Sequence, residues 1–192
     1  MKSLIEYITE KRKKVSDILQ QQYDDPIKNA VWNYVAGYTT AINDVLRKNK
    51  NEEDITKDLD EAFNKFGTKK NIDLYRTVDW DYMKNMYGLT IDNIDEYINK
   101  TFQNKGYMST ASEFISPWGK KWQEYELVMH ITGDITYIDI NKLFPNDKEI
   151  DCAEQKEMLL PRGVTLKLIS YDIKKGKQFD KNGTYVLEME AV

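Results

Sequence analysis

The chain has 192 residues, 41% hydrophobic and 31% charged, enough for one enclosed core. Its 28 basic and 32 acidic residues give a formal net charge of −4, which argues against the broad basic footprint of a dedicated nucleic-acid binder. A single cysteine, Cys152, rules out an internal disulfide, one histidine beside it argues against a protein zinc site, and no apolar run approaches the ~20 residues that span a bilayer.

The opening MKSLIEYITEKRKK lacks the apolar run of a secretory signal. The expected location is therefore cytoplasmic, or a target cell into which the protein is delivered. Within residues 3–22, Leu4, Ile5, Ile8, Val15, Ile18 and Leu19 mark one face of a first helix, with the basic run 11–14 as a solvated flank. This helix is the candidate docking element for a partner. Asp25-Pro26 reads as a cap and first-turn pair opening a second helix that carries Ala30, Val31, Tyr34 and Val35 and is interrupted at Gly37. Thr39 or Thr40 caps a third helix, AINDVLRK, and a fourth, DITKDLDEAFNKF, ends at Gly67 as a C-cap.

After residue 70 the texture changes. IDLYRTV reads as a strand, followed by helical stretches around 80–87 and 91–103. From about 106, the segments GYMST, YELVMHIT, ITYIDI, EMLL, VTLKLISYDI and TYVLEMEA are rich in β-branched and aromatic residues and separated by Gly, Pro, Asn and Asp. Helices first and strands later predict an α+β fold. One domain is expected over 1–192, mainly helical over 1–67 and mainly β over 70–192.

Four short patches carry the chemistry: Asn43-x-x-Leu46-Arg47 on a helix, Tyr75-Arg76 on a strand, Ser109-Thr110 on a strand, and Gln155-x-Glu157 before Met158-Leu159-Leu160. Each alone is weak; the ordered set is specific. In this order they resemble the mono-ADP-ribosyltransferase exoenzymes of the Arg-Ser-Glu class, which include clostridial Rho-modifying exoenzymes and the enzymatic parts of binary actin-modifying toxins. The resemblance covers roughly residues 25–190. It implies N-terminal helices packed on a two-sheet mixed β-sandwich core, with NAD as substrate and no metal.

That family breaks the bond between nicotinamide and ribose. The leaving group departs neutral from a cationic ring and needs no acid, while the ribose becomes oxocarbenium-like. A fixed carboxylate in a dry site stabilises that charge, and the resemblance assigns the role to Glu157. In a strand, residues two apart share a face, so Gln155 and Glu157 are expected to look into one cleft with Lys156 turned away. Gln cannot serve as a base but can donate and accept hydrogen bonds. Gln at this position implies an Asn or Gln side chain of a protein as acceptor, ahead of arginine. A nucleic acid base, or water in an NAD glycohydrolase, is the alternative; a degenerate binding domain of a toxin complex is the alternative outside enzymes. The two phosphates of NAD suit the guanidinium fork of Arg76 and Arg47. Asn43, one helical turn before Arg47, and Tyr34 are expected beside them. The resemblance makes Ser109 the residue that orients Glu157, with Thr110 its structural neighbour, and Phe114 a ring for stacking on nicotinamide. The chain departs from the family pattern at several positions. Ala111 stands where the family has a further Ser, which is tolerable because Ser109 does the orienting, and Thr77 replaces the Gly that follows the strand Arg. Cys152 stands where Rho- and guanine-modifying relatives carry an aromatic, which argues against both acceptors. His130 lies in a β pattern and is expected to pack or face solvent.

Overall fold

The computed structural model describes residues 22–47, 53–114, 126–145, 147, 150, 156–175 and 182–192. The first helix expected over 3–22, Cys152 and Gln155 lie outside them. Two compact units make up the chain, residues 1–65 and 66–192.

In the first unit, α1 (Pro26–Asn33) begins where the Asp-Pro pair predicts. Oδ1 of Asp25 accepts from the backbone N–H of Ile27 at 3.1 Å and of Lys28 at 3.4 Å, satisfying orphan donors of the first turn. Its Oδ2 pairs with Lys65 at 2.7 Å, and the hydrogen bond from Lys65 holds the Asp25 carboxyl below the usual range. A widened π turn follows over Tyr34–Tyr38, and Gly37 there has φ +129°, a conformation only glycine adopts without strain. α2 (Thr39–Arg47) starts beyond it, with the Thr39 hydroxyl donating to the Tyr34 carbonyl at 2.8 Å. α3 (Glu53–Phe66) closes the helical series. Gly67 follows at the expected place, but it is not among the left-handed glycines of the described residues, so no left-handed cap forms there.

The second unit holds β1 (Thr68–Asn71), β2 (Leu74–Val78), α4 (Trp80–Tyr87), α5 (Ile94–Tyr97), β3 (Thr101–Gln103), β4 (Met108–Ala111), β5 (Leu127–Thr132), β6 (Asp134–Asp139), α6 (Ile140–Leu143), β7 (Glu157–Leu160), β8 (Thr165–Lys174) and β9 (Thr184–Ala191). The strands neighbour one another in the order β1-β6-β7-β4-β2-β5-β9-β8-β3. All pairs are antiparallel except β5 with β9, so the sheet is mixed. The α+β class is as expected. The two expected sheets are joined: β4 and β2 meet through a single register pair, Ala111 with Tyr75. That junction divides four strands on one side from five on the other.

Leu74, Met129, Ile131, Met108, Leu160, Leu168 and Leu187 form the centre of the core, and Met83 of α4 and Leu89 after it pack into it. α4 is capped by Asp79, whose Oδ1 accepts from Tyr82 N–H at 2.5 Å, and ends at left-handed Gly88. The helical stretch expected over 91–103 is shorter than its pattern predicts. Only Ile94–Tyr97 is helical, because Asn99 turns left-handed (φ +67°) and residues 101–103 pair with β8.

Candidate active site

β7 begins at Glu157, and the residue before it, Lys156, is left-handed with φ +45°. The face-sharing expected of Gln155 and Glu157 therefore lacks its physical basis, since strand alternation does not extend back through a left-handed residue. The Lys156 ammonium pairs with Glu113.

Across β4 and β7 the register sets Ala111 opposite Glu157, Thr110 opposite Met158 and Ser109 opposite Leu159. Ser109 and Ala111 share a face, so Ser109 is the diagonal neighbour of Glu157. Its side chain hydrogen-bonds the Glu157 carboxylate. Arg76 comes from β2, on the other side of β4, and its Nη1 donates to the Ser109 carbonyl at 2.6 Å. The structure thus brings together Arg76, Ser109 and Glu157, from three strands and sequence positions 81 residues apart at the extremes (157 − 76).

Glu157 is only 8% exposed. Burial pushes its carboxyl above the usual range, while the Ser109 hydrogen bond and the Arg76 charge pull it back. An anionic form in such a place is held by specific partners and not by water. Arg76 is itself only partly satisfied: its Nε is buried and has no hydrogen-bond partner among the described residues. Its guanidinium carbon lies 5.7 Å from the centre of the Tyr82 ring. A buried guanidinium N–H without an acceptor costs free energy, and a phosphate oxygen is the acceptor such a fork fits. That donor is the observation that fits an NAD pyrophosphate to this chain.

The Thr110 side chain lies on the opposite face. Its hydroxyl donates to the Met158 carbonyl at 2.7 Å and is buried, which leaves it only accepting capacity toward a ligand. Phe114 meets Tyr75 edge-on, ring centres 5.2 Å apart. In the first unit, Asn43 is buried and its Nδ2 donates to the Tyr34 hydroxyl at 2.8 Å, so the helical Asn and the aromatic of the π turn fix one another. Arg47 is half-buried in the last turn of α2.

The β pattern around His130 predicts a packing or surface residue. The structure sets it between two carboxylates, with Nδ1 2.6 Å from Glu188 and Nε2 3.2 Å from Asp73, and stacks it on Tyr75 at 4.7 Å with the planes 6° apart. These partners lie 58 and 57 residues away, and no local pattern points to them.

This fold and this site define an enzyme of the NAD-dependent mono-ADP-ribosyltransferase class. The chain belongs to the ADP-ribosyltransferase exoenzyme family, whose model matches residues 6–191. Its fold is similar to that of the C3 exoenzyme of Clostridium limosum, at 20% identity and a TM-score of 0.66, over 96% of this chain and 94% of that one. It is also similar to C3stau2 from S. aureus, solved with NAD, at 17% identity and a TM-score of 0.65, over 100% and 97% of the two chains. A third likeness is to the enzymatic component C2-I of the Clostridium botulinum C2-toxin, at 15% identity and a TM-score of 0.67, over 97% of this chain and 47% of that one. No curated protein sequence matches the chain significantly. Among the described residues no helix is long and apolar enough to cross a membrane.

Proposed function

We propose that Glu157 is the carboxylate that promotes cleavage of the nicotinamide–ribose bond of NAD, and that ADP-ribose is passed to an Asn or Gln side chain of a protein. The observation that carries this reading is the buried Glu157 carboxylate, hydrogen-bonded by Ser109 and facing the charge of Arg76. As nicotinamide leaves with the bonding electron pair, positive charge grows on the ribose carbon. A carboxylate already fixed and shielded from water stabilises that charge without reorganisation. Ser109 positions it. Arg76 offers its unpartnered Nε–H to the pyrophosphate while Nη1 anchors the guanidinium to β4. Arg47 supplies a second cation for the phosphates, with Asn43 and Tyr34 as its supporting pair, and Phe114 stacks on the nicotinamide. Gln155 engages the acceptor amide, because it can both donate to and accept from such a group and cannot deprotonate a guanidinium. Delivery into a target cell is the setting this reading favours, with a delivery partner or an antitoxin as the candidate binder of residues 3–22.

The test is incubation with labelled NAD and cell lysate, followed by protease or nuclease. Label removed by protease and not by nuclease supports a protein acceptor. Label removed by nuclease moves the acceptor to nucleic acid, and nicotinamide release without any label leaves a glycohydrolase. Gln155→Ala is expected to abolish labelling while preserving NAD cleavage; retained labelling contradicts the role given to Gln155.

A further inference from the structure

We propose that Lys156, the residue between Gln155 and Glu157, is a positioning residue that sets the partition of cleaved NAD between transfer and hydrolysis. The inference rests on the reading above, in which the acceptor is engaged from the residues just before Glu157.

Three observations meet at this residue. Lys156 has a left-handed backbone although it is not glycine, and such strain persists where the surroundings enforce it. The enforcement is visible. The backbone N–H of Ser112 donates to the Lys156 carbonyl at 3.1 Å, and the Ser112 hydroxyl reaches the same oxygen at 3.5 Å. The Lys156 ammonium, in turn, pairs with Glu113. These contacts continue the β4–β7 ladder one step past its last pair, Ala111 with Glu157. They tie the chain leaving β4, which carries Phe114, to the chain entering β7 at the catalytic carboxylate.

Both side chains of the ion pair are about half-exposed, 43% for Lys156 and 51% for Glu113. An exposed pair adds little to global stability. Its consequence is local: it helps hold the left-handed Lys156, the residue next to Glu157, in one conformation. Transfer and hydrolysis share the first step, in which the glycosidic bond breaks and its electron pair leaves with nicotinamide. They differ in the second. Either an amide nitrogen of the acceptor bonds to the ribose carbon and loses a proton to solvent, or a water oxygen does so. A loosened Lys156 handicaps the bulky acceptor more than water, and the ratio of the two outcomes is independent of any change in the shared first step.

The experiment compares Lys156→Glu, Glu113→Lys and the double swap with the wild-type chain, using labelled NAD and lysate. The readout is the ratio of label incorporated to nicotinamide released, a quantity that loss of folded protein does not change. Each single swap is expected to lower the ratio about two- to five-fold, the range open to an exposed ion pair, and the double swap to restore it. Unchanged ratios in the single swaps, or a double swap no better than either, overturn the inference and leave the proposed function standing. A wild-type chain that releases nicotinamide and labels no macromolecule overturns the transfer reading and this inference with it.

Discussion

Ser109→Ala removes one hydroxyl from the centre of the site. In the structure that hydroxyl bonds a carboxylate that is 8% exposed, while the Ser109 backbone carbonyl, which holds Arg76, is untouched by the substitution. A hydrogen bond to a charged group is worth about 1.5–3 kcal/mol, and in a dry site no water replaces it. At 1.36 kcal/mol per factor of ten, the loss corresponds to a fall in turnover of roughly ten- to hundred-fold if the bond is fully used in the transition state. The pH dependence has a definite sign. Burial raises the Glu157 carboxyl and the Ser109 bond lowers it, so removing Ser109 raises it further. With the ionised form active, as the proposed role of Glu157 requires, the acidic limb of the turnover profile moves to higher pH in the variant. The assay is nicotinamide release from NAD at saturating substrate, followed from acidic to alkaline pH for wild-type chain and variant. An acidic limb that stays in place, or moves to lower pH, refutes the claim that Ser109 supports the ionised carboxylate.

Three further outcomes are expected. Arg76→Lys keeps the charge but loses the planar fork, so the Michaelis constant for NAD rises by about ten-fold or more in steady-state kinetics. Glu157→Gln raises thermal stability at neutral pH. The sign is as follows: a carboxyl whose folded value lies above its unfolded one binds protons more tightly when folded, so native stability falls as pH rises through that interval, and a neutral amide is free of the penalty. Melting curves should show a gain of about 2–4 °C per kcal/mol relieved, shrinking as pH drops and Glu157 itself becomes neutral. Thr110→Val removes the donor to the Met158 carbonyl from a buried position and is expected to destabilise the second unit by about 1–3 kcal/mol in denaturant unfolding.

The sequence exposed the elements that bury apolar side chains. β5, β7 and β9 announce themselves because their inward residues are large and apolar. β1, TKKN, is exposed at all four positions and β3 has only Phe102 buried, so neither edge strand carries a pattern to read. Ser109 and Thr110 look alike in sequence, yet strand alternation sends one to Glu157 and the other to the Met158 carbonyl. The period of two does not carry back from Glu157 to Gln155, because the backbone at Lys156 turns left-handed before the strand begins. Asp73, His130 and Glu188 were invisible as a group because cross-strand register, including the parallel pair of β5 and β9, is what assembles them. The family was legible through the order of four patches, a signal that survives low identity.

The most direct test of the account is the rate of nicotinamide release by purified Glu157→Gln chain, with NAD binding measured separately. Loss of the carboxylate proposed to face the developing charge should slow cleavage by about 10²–10³-fold while NAD still binds. Cleavage at the wild-type rate by a folded Glu157→Gln chain would contradict the assignment of Glu157 and the mechanism built on it.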